Sequence, residues 1–295
     1  AMNDSGDVAV VASTAADDDD ESTAANETIP RRGLFFRRGA LRHRIARFGE
    51  PSPVLDGDQN PVPWASIFDA TPSDRAPTFS QVIFSAQLGQ PDGRTGLFLW
   101  DESLQAVTTL ALEGDAAPTG GVFTSFGRTR INGSGDAAFF ALTQVGDGVP
   151  DSGLFVREAG GEIQRRVVFG ANGDTSPGGD RFTLLRDFDL DDAAEVTFVS
   201  ALAGGSSDAG VFRHAAGGAV STLLLEGEPT LLGGQYVNVD QARVRASGDG
   251  TLVVGVSLTE DIGGDGGFLF AGGPTWPPPP GHNQPPHHRG APPRR

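Results

Sequence analysis

Short apolar runs alternate with clusters of Gly, Asp, Asn and Pro along most of the chain, a pattern that predicts strands joined by turns. Between residues 122 and 170, "VFTSFGRTRI", "DAAFFALT", "GLFVREA" and "EIQRRVVFG" read as four consecutive strands. Asn132-Gly133-Ser134-Gly135 joins the first two, and Asn and Gly accept the positive φ that a tight hairpin turn requires. Gly160-Gly161 joins the third to the fourth, as Gly217-Gly218 does further on. Longer loops, "QVGDGVPDS" and "GGSSD", join second to third.

The pattern repeats. Gly96, Gly153, Gly210 and Gly267 are each 57 residues apart, with Phe98, Phe155, Phe212 and Leu269 in register. A second block precedes each: "INGSGDAAFFALT" from Ile131 has counterparts starting at Leu190, Ala246 and, more weakly, Ala76. The chain opens on another copy, "NDSGDVAVVAST" from Asn3. "GLFFRRGALRHRIARFGEPSP", from Gly33, is then the first copy of the glycine block, so the repeat is five-fold.

Four antiparallel strands in each unit of about 57 residues predict an all-β fold, first of all a five-bladed β-propeller, with a β-solenoid or open repeat array as the alternative. The first copy lacks its first strand and the last its fourth. Residues 1–272 form the repeat domain. Within it, 15–30 is a long acidic loop insertion, and 273–295 is a Pro-rich tail that reads as extended and disordered.

Composition narrows the picture. Among 295 residues there are 42 Gly, 21 Pro and no Cys, which excludes disulfides, thiolate metal sites and Cys nucleophiles. The net charge of −16 argues against general nucleic-acid binding. No run is long enough for a membrane span, no signal-peptide core lies near Ala1, and "AMND" reads as a processed or recombinant start. Residues 31–50 nevertheless carry seven of the 22 basic side chains. Repeat register makes this stretch a hairpin with Leu41, His43 and Ile45 on one face and Arg42, Arg44 and Ala46 on the other. A bulge is expected near Ala46.

The motif Asn132-x-x-Gly135-x-x-Ala138-Phe139, followed by Gly153-Leu154-Phe155 and Gly173-Asp174, resembles the bacterial tandem-repeat family named for Asn-x-x-Gly-x-x-Ala-Phe. Its members are described as choice-of-anchor surface proteins. The resemblance spans about residues 3–272 and is strongest in the third unit. It implies export and surface display as an interaction module, and it supplies no catalytic residues. No hydrophobic sorting helix follows the repeats.

Asp151, Asp208 and Asp265 each stand two residues before a repeat glycine, and Glu50, Asp115, Asp174 and Glu228 each follow a Gly. Up-and-down strands would bring both loop groups to one face. Ca²⁺ takes 6–8 oxygens at about 2.3–2.6 Å. Asp151, Asp208, Asp265, Asp115 and Asp174 are therefore the candidate metal ligands, with Ca²⁺ the candidate cofactor. The plainer reading is that Gly-Asp and Asp-x-Gly build turns, and recurrence in every unit favours it. "DFDLDDAAE", Asp187 to Glu195, fails as a calcium loop, because Asp192 and Phe198 stand where Gly and a bidentate Glu are needed. The repeated Phe residues are expected between blades. Trp64 and Trp100 are the candidates for an exposed aromatic platform, and Arg42 and Arg44 for anionic ligand contacts. His43 and His214 have no paired nucleophile, and His282, His287 and His288 lie in the tail.

A repeat architecture without a catalytic constellation points to a secreted or surface-displayed, non-enzymatic module that binds a glycan or another surface protein. Two other readings stay open. One is a carboxylate-based glycoside hydrolase or lyase at the propeller mouth, which needs two carboxyl groups about 5–9.5 Å apart. The other is an assembly protein whose incomplete end blades pair between chains.

Overall fold

A computed structural model describes residues 1–3, 5–14, 31–73, 80–148, 150–229, 234–246, 252–255 and 257–258. The acidic insertion at 15–30, Asp265, the repeat copy at Gly267 and the tail at 273–295 lie outside the described residues.

The fold is all-β, and its sheets follow one another along the chain as the blades of a propeller-type array. The first blade holds β1 (Val8–Thr14), β2 (Arg31–Arg38) and β3 (Leu41–Arg47). The second holds β4 (Pro51–Leu55), β5 (Pro61–Pro72), β6 (Gln81–Leu88), β7 (Thr95–Asp101) and β8 (Ala106–Leu112). The third is β9 (Val122–Ile131), β10 (Ala137–Gln144), β11 (Asp151–Arg157) and β12 (Ile163–Phe169). The fourth is β13 (Arg181–Leu190), β14 (Val196–Ala203), β15 (Ala209–His214) and β16 (Val220–Leu225). In the fifth, β17 (Tyr236–Val237) and β18 (Arg243–Ala246) pair with β20 (Ser257–Leu258) and β19 (Leu252–Gly255) respectively. These four pieces are the first two strands of that blade.

Each first strand carries more residues than its partner. Pairing of β5 with β6 slips between Trp64 and Ser66 and again between Ile67 and Asp69, and β9 and β13 slip twice in the same way. Such bulges add local twist. In the fifth blade a 3₁₀ turn, Val239–Gln241, takes their place. First strands of successive blades touch one another, β5 with β9, β9 with β13 and β13 with β18, which makes them the inner edge.

The core lies between blades, one apolar cluster for each consecutive pair. A strand between two neighbours buries both faces, hence runs such as "AAFFAL" rather than strict alternation. Leu154 faces the fourth blade while Phe155 faces the second, and both are fully buried. An aromatic trio recurs. Phe84–Phe98, Phe139–Phe155 and Phe198–Phe212 stack with centroids 5.5, 5.6 and 5.5 Å apart. Trp64, Phe123 and Phe182 meet the second ring of each pair edge-on at 4.7, 5.3 and 4.8 Å.

The repeat glycine follows from this packing. A Cβ on Gly96, Gly153 or Gly210 would stand 2.7 Å from the ring of the Phe two residues on. No side chain fits beneath that ring.

Two details differ from expectation. The link into the second blade opens into a fifth strand, β4, which pairs with the start of β5. In the other blades the same link closes on a single bridge, as at Ala116–Val122 and Thr175–Arg181. The turn signal Asp56-Gly57 between apolar Val54 and Val62 marks the extra hairpin. In the basic hairpin the bulge falls at Ile45, so Ala46 pairs with Leu34 in the core and does not join Arg42 and Arg44.

Candidate functional site

The carboxylates that follow Gly at the links between blades are turn-builders. Asp115 accepts the Leu112 N–H at 2.8 Å, Asp174 that of Val168 at 2.8 Å, and Glu228 that of Leu225 at 2.9 Å. The neighbouring backbone anchors the next aromatic. Gly114 N–H donates to the Phe123 carbonyl at 2.8 Å, and Phe123 N–H donates to the Asp115 carbonyl at 3.0 Å. Gly49/Glu50 with Trp64 and Gly227/Glu228 with Tyr236 repeat that exchange. Asp151 accepts from the Asn172 amide at 3.2 Å, and the Asp208 carbonyl accepts the Leu202 N–H at 2.8 Å. Among the described residues, no three His, Asp or Glu side chains are grouped closely enough to hold a metal ion.

The Asn of the repeat motif ties one blade to the next. Asn132 Oδ1 accepts the Ser134 and Asp136 N–H groups at 3.0 and 2.8 Å, which shapes the hairpin turn. Its Nδ2 donates to Asp136 at 2.8 Å and to the Asp191 carbonyl of the fourth blade at 2.7 Å. Asn3 does the same for the first blade, donating to the Ser73 carbonyl of the second at 2.7 Å. The fourth blade has Asp191 at this position. It keeps the two turn bonds, but its second oxygen meets Arg213 at 2.8 Å.

The inner strands carry a belt of charge that the sequence reading did not single out. Asp69, Arg128 and Asp187 recur at 59-residue spacing, as do Thr71, Arg130 and Asp189, and Arg243 and Arg245 continue both rows. Asp187 is 1% exposed and is paired with Arg128, with Arg245 at 3.5 Å and with the Val244 N–H at 3.2 Å. Asp189 meets Arg130 at 3.2 Å and the Ala246 N–H at 3.0 Å. Asp69 accepts the Thr129 N–H at 2.9 Å. Side chains thus join inner strands that belong to different sheets. Burial holds the Asp189 carboxyl above its ordinary range, against the opposing pull of the Arg130 charge. A buried carboxylate stripped of these partners would cost about 3–5 kcal/mol.

Beside this belt, between the third and fourth blades, a cleft of about 150 Å³ is lined by Arg128, Phe140, Leu185, Arg186 and Phe188. It sets two guanidinium groups, 45% and 40% exposed, against an apolar wall. Arg128 links the cleft to Asp187 through their ion pair.

The candidate ligand residues separate. Trp64 and Trp100 are each 3% exposed, so the expected aromatic platform is corrected. Trp64 occupies the position of Phe123 and Phe182 in the aromatic trio, and Trp100 packs on Phe36 at 5.3 Å. Arg42 and Arg44 lie on the outward face of the first blade, along an open groove. His43 turns the other way, towards Glu102 at 3.4 Å, and His214 is buried, its imidazole held below the ordinary pKa by desolvation.

Blades of up-and-down strands, joined through aromatic trios, Asn clamps and an inner charge belt, define a propeller-type repeat protein. The chain belongs to a family of unknown function, DUF7453, whose profile matches residues 1–170. No curated protein matches the sequence. Among solved structures it is similar to a Penicillium chrysogenum alpha-L-arabinanase complexed with arabinobiose. The TM-score is 0.38 and the identity 10%, over 90% of this chain and 78% of that one. No helix among the described residues is long and apolar enough to cross a membrane.

Proposed function

We propose that the protein is a non-enzymatic binding module, secreted or displayed at a bacterial surface, that holds a glycan or protein ligand at the cleft between the third and fourth blades. The observation that carries this reading is the condition of the inner carboxylates. Asp69, Asp187 and Asp189 use their oxygens on backbone N–H groups and guanidinium ions. Those oxygens are thus engaged within the protein, whereas carboxylate-based glycoside chemistry needs a pair of carboxyl groups that reach the substrate. Arg128 and Arg186 keep donors at the surface, and a planar fork of donors beside apolar side chains suits a ligand bearing carboxylate or hydroxyl groups on an apolar body. Surface display follows from the likeness of the repeat motif to choice-of-anchor proteins.

The test is a panel of polysaccharides and surface proteins measured by biolayer interferometry and, in parallel, for released product. Binding without turnover is expected. Among the described residues Arg186 pairs at the surface with Asp240 at 3.5 Å, so Arg186→Glu should leave folding intact. It should weaken binding about tenfold, a loss of ~1.4 kcal/mol. Product release from any polysaccharide, or unchanged affinity in the variant, would overturn the proposal.

A further inference from the structure

The bulge of the inner strand falls at the same place in three successive blades. Pairing skips Phe68 between Ile67 and Asp69, and Arg186 between Leu185 and Asp187. In the third blade it skips Gly127 and Arg128 between Phe126 and Thr129. Phe68, Gly127 and Arg186 follow one another at 59-residue spacing. A bulge re-aims the side chain it carries. Phe68 is accordingly 57% exposed, whereas Phe84, Phe98, Phe139 and Phe155 are fully buried. Gly127 leaves a gap instead. A Cβ there would stand 3.0 Å from the Phe140 ring, which is a wall of the cleft.

The charges on this edge are sorted by depth. Asp187 lies buried between Arg128 and Arg245, which meet its two oxygens, Arg245 at 3.5 Å. Asp189 is buried against Arg130. Arg245 is 60% exposed and, like Arg128 and Arg186, keeps donors in water. Asp240, paired with Arg186, is the exposed carboxylate among these ion pairs. The third, fourth and fifth blades thus present an excess of guanidinium on a chain of net charge −16. Acids farther off than about 8 Å are largely screened at physiological salt.

We propose that the inner edge binds an acidic oligosaccharide, one built of uronic acid residues, laid across the second to fifth blades. Inner strands of consecutive blades touch, so these side chains follow one another along a single edge. Phe68 stacks on the apolar face of one sugar ring, the gap at Gly127 admits another against Phe140, and Arg186 and Arg245 take carboxylates. The inference rests on the cleft being the ligand site, and it adds the class of ligand and two contacts, Phe68 and Arg245. A planar guanidinium matches a carboxylate with two parallel N–H···O bonds. The C–H faces of the same sugar suit exposed aromatic rings. A neutral sugar leaves the guanidinium groups unused. Nucleic acid brings a phosphate with every nucleotide to a chain that is strongly negative overall.

The probes are trigalacturonic acid, its methyl ester and neutral galactotriose, each titrated by calorimetry into the full-length protein. The acid should bind at least about tenfold more tightly than either neutral form. Arg245→Gln should weaken the acid about tenfold and leave the ester unchanged, and Arg245→Lys, which keeps a charge beside Asp187, should recover part of the loss. Phe68→Ala should weaken the acid about fivefold without narrowing its preference over the ester, because stacking is indifferent to the carboxylate. No binding of the acid, equal affinity for acid and ester, or parent-like binding by Arg245→Gln would each overturn the proposal. A single-stranded oligonucleotide that binds as tightly and loses as much in Arg245→Gln would overturn it in favour of nucleic acid. If the acid fails while another glycan or protein binds and is lost in Arg186→Glu, the cleft stands and the acidic ligand alone is refuted.

Discussion

Changing Asn132 to Asp tests the clamp between blades with almost no change in shape. Asn132 is 1% exposed, and its Oδ1 accepts two backbone N–H groups that an aspartate oxygen would accept equally well. The substitution instead replaces the Nδ2 donor, which lies 2.7 Å from the Asp191 carbonyl and 2.8 Å from the Asp136 carboxylate. Two attractive contacts become repulsive, and the Asp191 carbonyl loses a partner. A neutral hydrogen bond contributes about 1 kcal/mol, one to a charged group about 1.5–3, and a buried unsatisfied group costs about 1–3. Allowing for overlap between these contributions, a loss of about 3–5 kcal/mol is expected, the range for an uncompensated buried charge. At roughly 2–4 °C per kcal/mol, Tm should fall by about 6–20 °C, measured by thermal unfolding followed with circular dichroism. The deficit should shrink in acid, where the introduced carboxyl is protonated and can donate again. A loss below about 1 kcal/mol, or one indifferent to acid, would refute the clamp. The fourth blade tolerates Asp191 at this position because Arg213 lies 2.8 Å from its second oxygen.

Gly153→Ala should cost about 1–3 kcal/mol by overpacking, since its Cβ would stand 2.7 Å from the Phe155 ring. Combining it with Phe155→Leu should cost less than the sum of the two single changes, whereas simple additivity in denaturant titrations would reject the ring-over-glycine account. The raised pKa of Asp189 has a pH signature. The folded state binds its proton more tightly, so this group's contribution is most favourable below the unfolded value of 3.8 and is lost as pH rises through the folded pKa. Asp189→Asn should therefore gain on the parent in Tm as pH rises from about 3.8, and a parent–variant difference that does not change with pH would contradict this.

Much of the architecture was legible in the chain because it is written at a fixed interval. Gly153 and Phe155 recur since one ring lies over one glycine in each of the first four blades, and Asn132 recurs where a turn must both cap itself and reach its neighbour. The alternating Phe and Leu of "GLF" told which residues are buried without telling which neighbour covers them. Local signals were overridden where burial decides. Trp100, next to Asp101 at the end of a strand, resembled an exposed platform and is sealed by Phe36. Ala46 shared a face with Arg42 and Arg44 by strict alternation, and a bulge at Ile45 turns it into the core instead. Asp187 and Asp189 fail the calcium-loop pattern in the sequence itself, but nothing local to them names the distant arginines that they pair with.

The sequence by itself determined the unit: its length, its four strands, its turns and the side chains that fill each blade. These depend on neighbours along the chain and on a periodicity that one strand's geometry imposes. Only the tertiary structure decided what the charges do. Arg128 and Asp187 are 59 residues apart, as are Asn132 and Asp191, and their contacts exist because successive blades bring equivalent inner edges together. Pairing across that interval depends on the angle between blades, which strand periodicity does not encode.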